Sequence, residues 1–185
     1  MTKQKWLIVG LGNPGQEYVR SRHNAGFLFA DAIASRLDLS FHASKSVESE
    51  VAEMITEDLR VVIAKPTTYM NASGRAVSRL IAQEGLSEHL DRLIVAYDDL
   101  DLEIGEYKLQ QKKFPKVHNG IHSVIEYLGQ EGFWNLRLGV DARKGDRTIP
   151  GHAYVLQALS SEERVTLDTV IQETSKEILT SYVRL

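Results

Sequence analysis

At 185 residues, with 43% hydrophobic and 25% charged residues, the chain has the size and composition of one globular domain, which excludes a disordered or fibrous protein. It has no cysteine, which rules out disulfides, thiolate metal sites, iron–sulfur clusters and thiol nucleophiles, and fits a reducing cytoplasm. A net charge of −3 excludes nucleic-acid binding over the whole surface, so such a partner would have to meet a local basic patch.

Residues 6–9 are a short apolar run before a glycine cluster, which predicts a buried first strand. The run is too short for a signal peptide or a membrane span, and no membrane association is expected. Over 26–37, Phe27, Leu28, Ala30, Ile33, Ala34 and Leu37 recur at helical spacing, with Asn24 as the candidate cap. Residues 51–55 and 59–64 predict paired strands joined by a turn at 56–58, the second stopped by Pro66. Asn71 is the candidate cap of a helix running to about residue 83, with Ala76, Val77, Leu80 and Ile81 as its apolar stripe and Gly85 beyond its end. A buried strand over 93–97 and a shorter one over 106–109 follow, then a helix over 120–128 and a strand over 135–140. Past a charged loop at 141–151, a terminal helix spans 161–179, with Ser160 or Ser161 as cap and Glu162 and Glu163 in its first turn. This alternation predicts an α/β fold, a three-layer sandwich with a mixed, largely parallel twisted sheet flanked by helices, as one domain over 1–185.

Gly10-Leu11-Gly12-Asn13-Pro14-Gly15 follows the first strand with the spacing of a dinucleotide fingerprint. Pro14 and the five residues after Gly15 argue against a helix opening there, and Asp31 falls inside the first helix instead of ending a second strand, so the match to a cofactor site is weak. The glycines then serve to turn the chain sharply and hold Asn13 toward a cleft, the competing reading being an asparagine that bonds its own turn. His23 lies just before the first helix, where it can face the same cleft; lone histidines are mostly structural, yet one beside a carboxylate is the commonest general base. Asp98 closes the strand over 93–97, and strand ends on one edge of an α/β sheet converge on one crevice, so Asp98 can orient His23. A magnesium ion on Asp98 and Asp99 is the alternative. No Walker loop, His-Glu-x-x-His or Gly-x-Ser-x-Gly occurs, which leaves water activated by histidine as the favoured chemistry.

Five blocks carry a family resemblance. Gly10 to Gly15, Tyr18 with Arg22-His23-Asn24-Ala25-Gly26, Lys65-Pro66-Thr67-Thr68-Tyr69-Met70-Asn71-Ala72-Ser73-Gly74, Asp98-Asp99-Leu100-Asp101 and His118-Asn119-Gly120 resemble, in order and across nearly the whole chain, the signature blocks of bacterial-type peptidyl-tRNA hydrolases. The resemblance implies a metal-free, cofactor-free esterase that cuts peptide from the terminal ribose of tRNA, with His23 as general base on water, Asp98 orienting it and Asn13 placing water or substrate. It further implies that Asn71 and Asn119 bind the peptide backbone, that Tyr18 and Tyr69 contact substrate, and that Lys108 and Arg137 meet tRNA phosphates. Asn13, and after it Asn71, is the candidate donor to the ester oxygen in the transition state. The expected partner is peptidyl-tRNA, and the expected form a cytoplasmic monomer.

The chain departs from that pattern at Gln110-Gln111-Lys112-Lys113-Phe114-Pro115-Lys116-Val117, where the family carries a glycine-rich loop, and at Gln110 and Asn135, where basic residues are common. Lys112 and Lys113, with Lys116 nearby and Arg143 and Lys144 later in the chain, are candidates to restore the lost phosphate contacts. The same departures keep two alternatives open: a non-catalytic RNA- or protein-binding relative, and a small-molecule or nucleoside-processing hydrolase on a similar scaffold.

Overall fold

The first strand, β1 (Gln4–Gly10), is apolar and buried from Trp6 onward. Trp6 and Ile8 face one side and Leu7 and Val9 the other, and both sides are covered. The computed structural model describes residues 3–185. Beside β1 lie two parallel neighbours, β4 (Leu59–Pro66) and β5 (Leu93–Glu103), and β7 (Trp134–Asp141) pairs in parallel with β5. Antiparallel strands finish each edge: β2 (His42–Ser44) on β3 (Ser49–Ile55) on β4, and β6 (Tyr107–Gln111) on β7. The order is β2-β3-β4-β1-β5-β7-β6, a mixed sheet whose centre is parallel.

On the Trp6 side the sheet packs against α1 (Ala25–Arg36) and α5 (Ser161–Glu177), through Phe29, Ile33, Leu167 and Ile171. On the Leu7 side it packs against α2 (Ser73–Glu84) and α3 (Asn119–Leu128), through Val77, Leu80, Ile121 and Val124. These are the three layers expected from the alternation of elements. Among the described residues, no helix is long and apolar enough to cross a membrane.

The differences from expectation have local causes. β2 has three residues, too few for a periodic signal, and α4 (Gly151–Tyr154) is a single turn at the end of a loop. β5 continues to Glu103 because pairing with β7 resumes past an irregularity between Asp99 and Glu103, where the charged sequence hides the strand. Neither Asn71 nor Asn24 caps a helix with its side chain: a 3-10 turn at Met70–Ala72 precedes α2, and the Asn24 side chain is used elsewhere. Ser160 does cap α5, in a full capping box with Glu163.

One contact decides where the site lies. A Cβ on Gly10 would fall 2.0 Å from the Gly26 carbonyl oxygen, and one on Gly26 would fall 2.3 Å from that of Ala96. The first turn of α1 therefore rests directly on the ends of β1 and β5, and the turn before it, Arg22–Asn24, hangs over Asp98.

Candidate active site

β1 ends at Gly10, level with Ala96, so β5 carries Tyr97 and Asp98 beyond it into the crevice at the carboxyl ends of the parallel strands. The chain leaving β1 is clamped there by Asn24, whose Oδ1 accepts from the Asn13 backbone N–H (2.8 Å) and whose Nδ2 donates to the Asn13 carbonyl (3.0 Å). Gly15, at φ 115°, lets the chain turn away immediately afterwards. Asn13 does not bond its own turn. Its Oδ1 accepts from the Met70 backbone N–H at 2.8 Å, which fixes the carboxamide's orientation and leaves Nδ2 as the donor for the cleft that Asn13 lines.

Asp98 is 1% exposed, and its Oδ1 takes two imidazoles: His23 Nδ1 at 2.8 Å and His118 Nε2 at 3.0 Å. The His118 tautomer follows from its other nitrogen, since Nδ1 accepts from the Ile121 backbone N–H (3.2 Å) as the N-cap of α3 and so carries no proton. Its proton is therefore on Nε2 and is donated to Asp98. Tyr97, fully buried, packs its ring 4.9 Å from that of His118, and its hydroxyl donates to Asn135 Oδ1. With Nδ1 of His23 held by Asp98, the nitrogen left to act is Nε2, on a ring that lines the cleft.

Burial acts to raise the Asp98 pKa, but the electrostatic attraction and hydrogen bonds of the His23 and His118 rings outweigh it and hold this carboxyl well below the usual carboxylate range. On His23, burial acts to lower the pKa, and the charge and hydrogen bond of Asp98 together raise it above the ordinary 6.5. His23, Asp98 and His118 are also the one group among the described residues whose donor atoms, all within 4.8 Å of one another, could gather around a metal ion. The nitrogens facing Asp98 are spent on its hydrogen bonds, which is the geometry of an orienting carboxylate.

Around this trio the cleft encloses about 900 Å³, lined by Tyr69, Asn71 and Asn119, by Leu100, Val155 and Leu156, and by Lys116 and Val117. The structure thus gathers Asn13, His23, Asp98, Tyr69, Asn71 and Asn119 around one space. Asn71 and Asn119 sit at the start of the segments leading into α2 and α3, with exposed carboxamides. Three residues outside the expected site set belong here: His118, Asn24, and His152 at the exposed rim. His118 stands in a quoted block, and its spacing to Ile121 is that of a capping residue, so a signal existed; Asn24 gave none beyond a helix cap.

The structure places Tyr18 apart from these residues. This tyrosine does not line the cleft; it lies in a 3-10 turn whose carbonyl accepts from the Ser21 hydroxyl. Arg137 is 5% exposed, with its guanidinium on the Asp99 carboxylate and near Asp101, so its charge is matched within the fold. Arg143 is likewise bound to Asp141. Lys108, Lys112, Lys113 and Lys116 are exposed. The loop that bears three of them is pinned from beneath, with the Phe114 ring 5.5 Å from Phe133 and Pro115 buried, while Val117, 86% exposed, stands at the cleft.

A family model described as peptidyl-tRNA hydrolase matches residues 7–184. The chain is similar to a crystal structure of peptidyl-tRNA hydrolase from Acinetobacter baumannii, at 27% identity over 97% of this chain and 89% of that one, with a TM-score of 0.85. An arginine-to-glutamine mutant of the Acinetobacter baumannii protein matches at 28% identity with the same coverage and TM-score. A 5'-methylthioadenosine nucleosidase from Arabidopsis thaliana, 11% identical with a TM-score of 0.50 over the whole of both chains, shares the fold alone.

Proposed function

Because this chain belongs to the peptidyl-tRNA hydrolase family, we propose that His23 is the general base with which it cleaves the ester between peptide and tRNA. The observation that carries this is Asp98 holding His23 Nδ1 while the same ring lines a cleft edged by three asparagines. Water beside His23 Nε2 gives up its proton as its oxygen attacks the ester carbonyl, and Asp98 stabilises the imidazolium that results. As the carbonyl oxygen gains charge, Nδ2 of Asn13 donates to it; donors of this kind are worth about 3 kcal/mol in other hydrolases. The imidazolium then returns its proton to the departing ribose oxygen, leaving the tRNA hydroxyl and the free peptide acid, which loses its proton to solvent as the carboxylate.

Asn71 and Asn119 bond the peptide main chain, which every peptide offers whatever its side chains, and Tyr69 packs beside them. His118 keeps the shared carboxylate in place. Lys108, Lys112 and Lys113, exposed on β6 and the loop after it, meet tRNA phosphates. The form in this reading is a cytoplasmic monomer, a compartment that the lack of cysteine suits. The test is turnover of purified N-acetylated aminoacyl-tRNA. His23→Ala is expected to lose a hundredfold or more in kcat, on the order of general-base contributions; turnover at the wild-type rate would refute the assignment.

A further inference from the structure

The strip of chain that carries His23 is bonded to the strip that walls the cleft. Ser21 and Ala158 form an antiparallel bridge, the His23 N–H donates to the Val155 carbonyl (2.8 Å), and the Arg22 N–H donates to that of Gln157 (3.2 Å). Val155 and Leu156 line the cleft, so the histidine and the wall are parts of one short ladder.

What holds this ladder is a buried charge outside the cleft. Arg22, 6% exposed, donates from Nη1 to the carbonyls of Tyr154 (3.4 Å), Gln157 (3.2 Å) and Ala158 (3.2 Å), and from Nη2 to both carboxylate oxygens of Glu163 (2.7 and 2.6 Å). The guanidinium also lies 4.0 Å from the centroid of the Tyr154 ring. The Tyr154 hydroxyl donates to Glu163 Oε1 (3.3 Å) and accepts from the Ala142 N–H just past β7 (3.2 Å). Glu163 sits in the first turn of α5, and its Oε2 accepts from the Ser160 N–H (2.6 Å). One carboxylate thus ties together the His23 strip, the cleft wall and the start of α5. Without it Arg22 would be a buried cation lacking its partner, which the structure relieves only by letting the guanidinium out or water in, and either loosens the ladder.

We propose that Glu163 is a positioning residue for His23: acting through Arg22, it fixes the imidazole against Asp98 and keeps the cleft wall in register with it. The proposal rests on His23 being the general base. Displacing a reacting group by about 1 Å costs on the order of a hundredfold, so a partial loosening is expected to cost tenfold or more.

Turnover of N-acetylated aminoacyl-tRNA tests this, at a temperature where circular dichroism shows each variant folded. Glu163→Gln is expected to lower kcat at least about tenfold and to move the acid limb of kcat/KM to lower pH as His23 loses its contact with Asp98. Ser160→Ala separates this role from plain helix capping: it removes the capping hydroxyl with Arg22 untouched, and is expected to lower Tm with kcat unchanged. If Glu163→Gln does not fold, Arg22→Lys keeps the charge but cannot make the same set of bonds, and is expected to show the same loss in kcat. A folded Glu163→Gln or Arg22→Lys with the wild-type kcat and pH profile would overturn the proposal, as would an equal kcat loss in Ser160→Ala. Inactive His23→Ala beside fully active Glu163→Gln would sink the positioning role alone, whereas active His23→Ala would remove the base assignment and this proposal with it.

Discussion

One oxygen of Asp98 serves two histidines, and those histidines stand in different surroundings. His118 is locked by the backbone of α3 and acts as a prop, whereas His23 keeps a free nitrogen. The raised pKa of His23 has a direct kinetic consequence, because only the unprotonated ring can take a proton from water. The acid limb of kcat/KM is therefore expected above pH 6.5, and Asp98→Asn should shift it to lower pH while reducing kcat about a hundredfold or more, as a pH–rate profile on both proteins would reveal. The two groups act on stability in opposite pH windows. The Asp98 contribution is fully present above its ordinary 3.8 and is lost as pH falls toward its depressed folded value; that of His23 is fully present below 6.5 and is lost as pH rises through its raised folded value. His23 and Asp98 could be read from the sequence because strand ends on one edge converge. The positions of Tyr18 and Arg137 could not, because a turn's direction and a buried ion pair depend on partners elsewhere in the chain.

At the level of elements, the site depends on how closely α1 approaches the sheet. The Gly10–Gly26–Ala96 contact leaves no room for even a methyl group, and the atoms it would strike are backbone atoms that cannot swing aside. Gly26→Ala is therefore expected to destabilise the fold by about 3 kcal/mol, the upper end of overpacking costs. That corresponds to roughly 10 °C in Tm for a domain of this size, measurable by thermal denaturation, with a loss of turnover as Arg22–Asn24 lifts from Asp98. Long periodic segments such as α1, α2 and α3 were legible because each buries one stripe against the sheet. Asn71 and Asn24 were legible as polar residues at helix starts but not in what they do there. Capping is the local option for such residues, and the fold instead leaves Asn71 open to the cleft and uses Asn24 to clamp the loop at Asn13.

For the molecule as a whole, a net charge of −3 makes the placement of cations matter more than their number. Arg22, Arg60, Arg75, Arg137 and Arg143 all face carboxylates, while Lys108, Lys112, Lys113 and Lys116 are exposed around β6, the loop after it and the cleft. Lys112→Ala combined with Lys113→Ala is expected to weaken tRNA binding and to flatten the dependence of log K on log salt by about 0.7–0.9 per lost phosphate contact, with turnover of a small neutral ester unchanged. Binding titrations across a salt series would show it, and an unchanged slope would rule out these two lysines. The sequence by itself determined the alternation of elements, the α/β layering and the chemistry of a histidine, an aspartate and several asparagines, because periodicity and side-chain type are local properties. Tertiary structure alone decided which nitrogen of His23 is free, which asparagines are committed to the backbone, and which arginines are already neutralised. Each of those turns on a hydrogen bond or ion pair between residues far apart in the chain, and no local pattern encodes such a partner.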